Sequence, residues 1–441
     1  MSIKNFPVNI SKKQIFLISI PVFFSNMAIP LIGIVDTGLM GNLGDSKFLV
    51  ATSIATSVMT MIVWSFGFLR MGTVGIVAQL FGKSDYREIV RTLLRNFSFC
   101  ILLSITIILL TPIILEVIKN LFSTTTLTQK LIKTYVSVRV FSIPAEFTIY
   151  ILIGFYLGIQ KTNISSLLII LLSALNIFFS SFLVLSFNLD VLGVALGTLL
   201  ASYITAIIFL LFTYNFILKK FQIIPTFNRI MIPSKIFKLF NINFDIFIRT
   251  LFLTFSFLWI TYIGSKLGEN YLAINTILMQ FIILSAFFLD AYAFSTEGIV
   301  GFAIGKKNKK SFAMIVKNSI QLSFITALVI SLIYLLFFKQ IINLLTDIDV
   351  LRFISYKHAL WVVLIPPVAS FCYQLDGIFV GASQTKEMRN GMIISVVSFI
   401  ILSIYFTKYF GNHGLWLSLL IFMVLRSLTL NYFFYKILKR F

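Results

Sequence analysis

The chain has 441 residues, of which 59% are hydrophobic and 12% charged, and its mean hydropathy is +1.00. Soluble domains carry about 25% charged residues. There are too few here to give a core of this size a polar exterior, so the composition excludes a globular soluble protein and indicates a polytopic membrane protein.

Twelve apolar segments are long enough to cross roughly 30 Å of hydrocarbon as helices. They cover residues 14–38, 48–80, 93–118, 131–157, 164–186, 191–217, 243–264, 271–304, 312–338, 354–383, 391–409 and 414–435, and the second, eighth and tenth exceed one crossing. The first run is too long for a cleavable signal peptide, continues past Asp36 and has no small-residue cleavage site. Basic residues mark alternate loops. Lys4, Lys12 and Lys13 precede the first segment. Lys83, Arg87, Arg91 and Arg95 follow the second, Lys161 the fourth, and Lys219, Lys220, Arg229, Lys235 and Lys238 the sixth. Lys306, Lys307, Lys309, Lys310 and Lys317 follow the eighth, Lys386 and Arg389 the tenth, and Lys436, Lys439 and Arg440 the last. The positive-inside rule then places both termini in the cytoplasm, and the expected location is a bacterial inner (cytoplasmic) membrane. Spread one or a few per loop, the charges that sum to +21 are a topology signal and contacts for membrane lipids, and they imply no nucleic-acid partner.

The second half repeats the first at an offset of 223. Phe81-Gly82-Lys83 recurs as Ile304-Gly305-Lys306, Ile143-Pro144 as Pro366-Pro367, Gly154 and Gly158 as Gly377 and Gly381, and Thr162 as Thr385. The stretch Lys219–Asn241, with Pro225 and Pro233, is the one substantial linker. The expected fold is all-α: twelve transmembrane helices in two pseudo-symmetric six-helix bundles, residues 1–218 and 241–441, joined by a cytoplasmic linker at 219–240. Six crossings per copy make the repeat parallel, the plan of a secondary transporter with substrate held between the halves.

Ionisable residues inside membrane helices are functional candidates by default. Here they are Asp36, Arg70, Arg139, Glu146, Asp245, Arg249, Asp290, Glu297, Asp376 and Arg426. Asp36 lies about 8 Å below the outer end of the first helix, with no basic residue one turn away, and is placed to bind a proton or cation reversibly. Asn176, Ser180 and Thr198 fall near the same depth on the fifth and sixth helices and supply oxygen ligands. In the second half, Asp290 and Glu297 stand seven apart on the eighth helix and Asp376 lies on the tenth, which Pro366-Pro367 is expected to kink or break. Gly67 and Ile153 occupy the places matching Asp290 and Asp376. Asp245 and Arg249, four apart, are expected to pair locally. Arg139 and Glu146, seven apart, share a face, and Arg426 snorkels. His358 and His413 are expected at the outer surface. Cys100 and Cys372 make no disulfide framework, no Cys/His cluster indicates a metal, and no catalytic motif indicates an enzyme.

The run Gly33-Ile-Val-Asp36-Thr37-Gly38-Leu-Met-Gly41-Asn-Leu-Gly44-Asp45 resembles the first-helix signature of the multidrug and toxic compound extrusion (MATE) family. Gly67-Phe-Leu-Arg70-Met71-Gly72-Thr73 with Ala78-Gln79 and Gly82 resembles the second-helix signature of its DinF-like branch. Gly154-Phe-Tyr-Leu-Gly158-Ile-Gln160, Gly193-Val-Ala-Leu-Gly197-Thr198, Leu375-Asp376-Gly377-Ile-Phe-Val-Gly381-Ala382 and Glu387-Met388-Arg389-Asn390 continue the likeness over residues 15 to 435. The resemblance implies two six-helix bundles in a V, a monomer, no cofactor, and export of amphipathic, often cationic small molecules in exchange for H⁺ or Na⁺. It makes Asp36 the ion-coupling residue with Thr198 near it, Pro21 a point of helix bending, and Asp376 an ion or substrate contact. Asn176 matches an asparagine that works in many relatives with an aspartate one turn on, where this chain has Ser180. The alternative is a lipid-linked oligosaccharide flippase of the same superfamily, which usually has fourteen helices and a more basic cavity.

Overall fold

A computed structural model describes residues 10–43, 45–122, 124–223, 230, 232–439 and 441. Lys4, Gly44, Pro225, Arg229 and Arg440 lie outside the described residues. Among the described residues twelve helices are long and apolar enough to cross a membrane: α1 Lys12–Gly41, α2 Ser46–Gly82, α3 Tyr86–Leu109, α4 Thr126–Gly158, α5 Thr162–Phe187, α6 Asp190–Phe221, α7 Pro233–Leu267, α8 Glu269–Gly305, α9 Lys309–Leu345, α10 Ala359–Gly381, α11 Thr385–Phe410 and α12 Asn412–Leu438. No strand occurs among the described residues. In hydrocarbon the backbone must satisfy its own polar groups, and the helix does this within one segment.

Local chemistry sets where these helices break. The long second segment is two helical runs, Ser46–Ser65 and Phe68–Gly82, meeting at Phe66-Gly67. The third segment, expected as one helix to residue 118, stops at Leu109, and a separate helix Thr111–Leu121 follows with Pro112 in its first turn. Proline lacks the N–H that would continue α3, yet its fixed φ suits a new helix start. At the other end Asp85 caps α3 by accepting from the Glu88 N–H at 3.1 Å. The tenth segment also divides, into helix Asp349–Lys357 and α10, with His358 between them.

Of the kink or break expected at Pro366-Pro367, there is no break: the helix runs through both prolines. Pro367 cannot donate to the Val363 carbonyl, and the Ser331 hydroxyl of α9 donates to that oxygen instead, at 2.7 Å. A neighbouring hydroxyl thus replaces the lost bond, as membrane helices permit.

Two compact units divide the packing. One comprises Phe24–Phe240; the other comprises Asn241–Phe441 together with the residues up to Phe23. We call them the N-terminal and C-terminal units. Within them α4 and α10 are the most enclosed membrane helices, with 72% and 67% of their apolar windows buried, so each is the central helix of its unit. Glycine permits this. A Cβ on Gly154 would stand 2.6 Å from the Arg70 carbonyl oxygen, and one on Gly377 would stand 2.7 Å from that of Ala293, residues again 223 apart. Both copies therefore press their central helix onto the helix two before it, α4 onto α2 and α10 onto α8, through the same small residues. The C-terminal unit also buries an apolar cluster that includes Leu278, Val396, Phe399, Phe422 and Trp416.

His358 is not a surface residue, although His413 is exposed. His358 is 2% exposed and stacks on His413 at 4.2 Å. Its Nδ1 donates to the Ile354 carbonyl at 2.8 Å, and its Nε2 accepts from Asn412 Nδ2 at 3.0 Å. Burial holds its pKa below the ordinary histidine value. Trp416 Nε1 donates to Asn275 Oδ1 and so orients the Asn275–Asn412 amide pair that faces the ring.

Candidate functional site

Asp36 lies in the last third of α1, on a turn flanked by Gly33 and Gly38, and is 6% exposed. Ser180 of α5 faces its carboxylate, and Arg139 of α4 stands near enough to act on it electrostatically. Asn176 sits one turn before Ser180 on α5. Its Nδ2 donates to Thr198 Oγ1 of α6 at 3.0 Å, and the Thr198 hydroxyl donates back to the Val194 carbonyl at 3.1 Å. With the amide nitrogen committed, the Asn176 carbonyl oxygen is left as an acceptor. The four residues proposed from the sequence therefore converge in the N-terminal unit, on α1, α5 and α6.

The unmade bonds are the informative part. Asp36 Oδ1, Asn176 Oδ1 and Ser180 Oγ are each buried without a hydrogen-bond partner. Ser173 of α5 and Ser202 and Thr205 of α6 also have unpartnered buried hydroxyls. An unsatisfied buried polar group costs about 1–3 kcal/mol, so the unpartnered oxygens of Asp36, Ser180 and Asn176 suit a group that arrives and leaves: a proton on Asp36, or a hard cation ligated by its oxygen neighbours. Gly197 makes the cluster possible. A Cβ there would lie 2.5 Å from Ser180 Oγ and 2.6 Å from Ser180 N, so only glycine lets α6 approach α5 at this level.

Sequence reasoning missed one wall of this site. Tyr135 of α4 is buried beside Asp36 and Arg139 and accepts from Thr56 of α2 at 3.1 Å. It stands one turn before Arg139 on the same face, a spacing legible in the sequence. Arg139 itself pairs with Glu146 and also donates to Ser142, as the seven-residue spacing suggested. Ser142 donates to Glu146 at 2.7 Å and closes the triad.

The C-terminal unit buries a different cluster. Arg249 of α7 and Arg426 of α12 both bind the Asp376 carboxylate on α10, Arg426 at 2.7 Å. Two expectations are corrected here. Arg249 does not pair with Asp245 one turn away; Asp245 instead accepts from Arg389 at 2.7 Å and Thr385 at 3.0 Å. Arg426 does not snorkel, being 2% exposed. In both cases an interhelical partner fully inside the bundle outcompetes the local or interfacial one, since a buried charge needs a directly bonded counter-charge. Asp290 of α8 acts electrostatically on Tyr373 and Cys372 of α10, so it belongs to this cluster. Glu297 is 1% exposed two turns further along α8, where its backbone oxygen packs against Gly381.

The two clusters are not copies. At the 223 offset Asp36 becomes Trp259 and Asn176 becomes Phe399, while Ser180 becomes Ser403. Trp259 Nε1 donates to Ser403 at 2.8 Å, so the same helix pair meets with an indole in place of the carboxylate. Val362 and Ala369 replace Arg139 and Glu146. Among the described residues no group of three or more His, Cys, Asp or Glu side chains is placed to hold a metal ion. Pro21 lies in unbroken helix, two residues before Phe23, where α1 passes from one packing unit to the other.

A family model described as MatE matches residues 21–182 and again 245–407, once per copy of the repeat. The DNA damage-inducible protein F of Escherichia coli (strain K12) is 31% identical over 420 residues, covering 95% of this chain and 91% of that protein. The probable multidrug resistance protein NorM of Bacillus cereus is 22% identical over 424 residues, covering 93% of this chain and 92% of that one. A solved structure described as the outward-facing conformation of a multidrug resistance MATE family transporter of the MOP superfamily superposes with a TM-score of 0.88. At 18% identity, over 98% of this chain and 97% of the other, it shares the fold.

Proposed function

We propose, from the premise that this chain belongs to the MatE family of membrane transporters, that it is a secondary antiporter exporting amphipathic, often cationic compounds in exchange for H⁺ or Na⁺. Proteins of this family are transporters and not enzymes, and several relatives carry multidrug export or resistance in their names. The observation that carries the coupling reading is the set of three partnerless buried oxygens, on Asp36, Asn176 and Ser180.

With Asp36 ionised, its carboxylate shares a low-dielectric site with the Ser180 hydroxyl, which can donate to it, and the Asn176 carbonyl oxygen, which cannot. A proton on Asp36 supplies the missing donor to Ser180 or Asn176, and a sodium ion satisfies all three oxygens together. Either one neutralises the buried charge. α1 then bends near Pro21, whose ring removes the hydrogen bond to the Leu17 carbonyl, and substrate leaves the N-terminal bundle by alternating access. Each charge that moves inward with the membrane potential contributes about 2.3 kcal/mol per 100 mV. Asp290, Glu297 and Asp376 form the ionisable set of the other bundle, where Asp376, held by two arginines, contacts substrate or orders its helix. The transporter works as a monomer in the bacterial inner membrane with both termini cytoplasmic.

The test is ethidium efflux from membrane vesicles carrying the protein, under imposed ΔpH or ΔNa⁺ in turn. Wild-type efflux should follow one gradient. Asp36→Asn, which keeps shape and removes the ionisable oxygen, should abolish gradient-driven efflux while leaving the protein folded. Wild-type rates in Asp36→Asn would end the assignment of Asp36. Efflux driven by Na⁺ alone would make Asn176, Ser180 and Thr198 cation ligands.

A further inference from the structure

A cleft of about 880 Å³ opens in the N-terminal unit between helix Thr111–Leu121 and the first four turns of α4. Its long wall is one face of α4. Gln129, Lys130, Lys133, Ser137, Val140 and Phe141 line it, at the spacings that bring helical residues onto one stripe. The chemistry changes steadily along the stripe. An amide and two ammonium groups stand near the start of the helix, and Val140 and Phe141 lie about 18 Å further in, at 1.5 Å per residue. Phe141 is 52% exposed, an aromatic ring left uncovered by the protein.

The facing helix repeats this arrangement, with Lys119 at its far end and Leu115 and Ile118 within. Lys119, Lys130 and Lys133 are all exposed, and no described carboxylate lies within ion-pair distance of their ammonium groups. Glu116 is the one acid in the lining, so the rim carries a surplus of positive charge. Thr124, in the same wall, has a buried hydroxyl without a partner. Three crossings separate this end of α3 from the N-terminus, so the cleft opens at the membrane face opposite the termini.

We propose that the cleft holds one anionic phospholipid of that leaflet, its phosphate among Lys119, Lys130 and Lys133 and an acyl chain along Ser137, Val140 and Phe141. The charge selects the headgroup: three ammoniums against one carboxylate repel a cationic amphiphile and attract a phosphate. The apolar stretch selects a lipid over a free anion, because an inorganic ion has no use for a channel that ends on an uncovered phenylalanine. The volume lies among sites that take drug-sized ligands, roughly 300–1,000 Å³, enough for a headgroup and the upper part of a chain.

The test uses the full-length protein in mild detergent, with bound lipid counted by native mass spectrometry. Phosphatidylglycerol should be retained in preference to phosphatidylcholine of the same chains. Lys119→Gln, Lys130→Gln and Lys133→Gln should each weaken its retention about fivefold, while Lys306→Gln, far along the chain in another loop, should not. Ser137→Trp should weaken it too, by filling the cleft without touching a charge, and millimolar inorganic phosphate should leave it bound. Equal retention of the two lipids, or lysine and Ser137→Trp variants that bind as wild type, would overturn the proposal. Displacement by inorganic phosphate would also overturn it, by assigning the lysines to a free anion.

Discussion

Asp36 and Asp376 are both buried acids, 6% and 7% exposed, yet their surroundings differ. The Asp376 carboxylate binds two guanidinium groups through one oxygen, Oδ2. Asp36 keeps an oxygen without a partner, among neutral oxygens equally unpartnered. Asp376→Asn removes the carboxylate that both Arg249 and Arg426 bind, and breaking a buried pair from one side costs about 3–5 kcal/mol. The expected outcome is a marked fall in the unfolding temperature of the purified protein in detergent; an unchanged temperature would mean that the arginines find another anion. The sequence marks both acids as intramembrane charges. It does not show which one is neutralised, because the partners lie 50 and 127 positions away in the chain.

At the scale of the element, the same small residue serves different ends. Gly197 is needed where α6 meets α5 at Ser180. Gly33, Gly38 and Gly41 on α1 are not packing residues: a Cβ on any of them would meet no atom within 4 Å. With Pro21 and Pro30 in the same helix, they leave α1 with few contacts to resist bending. Gly197→Ala should therefore force the α5–α6 backbones apart, costing about 1–3 kcal/mol in stability and lowering coupled efflux by loosening the Asp36 site. Gly38→Ala should leave both near wild type. Measuring unfolding temperature and efflux in the two variants separates the roles, and equal effects would remove the argument. Helix existence was legible from hydropathy; the stop before Pro112 was not, because the apolar segment reads on to residue 118, although proline chemistry accounts for it. The continuity of α10 through two prolines was not legible, because Ser331, the group that rescues it, comes from another helix.

For the whole molecule, the repeat supplies one frame twice and the chemistry once. The central helices α4 and α10 seat through equivalent glycines, yet Trp259 and Phe399 close in the second copy the place that Asp36 and Asn176 leave polar in the first. An even number of crossings puts both termini on one side, and the positive-inside rule makes the cytoplasm the side to test for. In a background lacking Cys100 and Cys372, Lys266→Cys should be labelled in whole cells by an impermeant maleimide, and Lys83→Cys only after the membrane is opened. Both lysines are exposed, so the reverse pattern would invert the topology.

By itself the sequence determined the membrane class, the twelve helices, the tandem repeat and the family, because hydropathy, loop charge and motif spacing are properties of neighbouring residues. It also marked Asp36, Asn176, Ser180 and Thr198 as candidates. Only the tertiary structure decided which buried charges cancel one another, that His358 lies inside, that Tyr135 and Arg139 wall the Asp36 site, and which oxygens remain without partners. Each of those depends on contacts between helices far apart in the chain. In hydrocarbon an unpaired polar group is expensive, so those contacts settle whether a residue supports the fold or is left free to bind an ion.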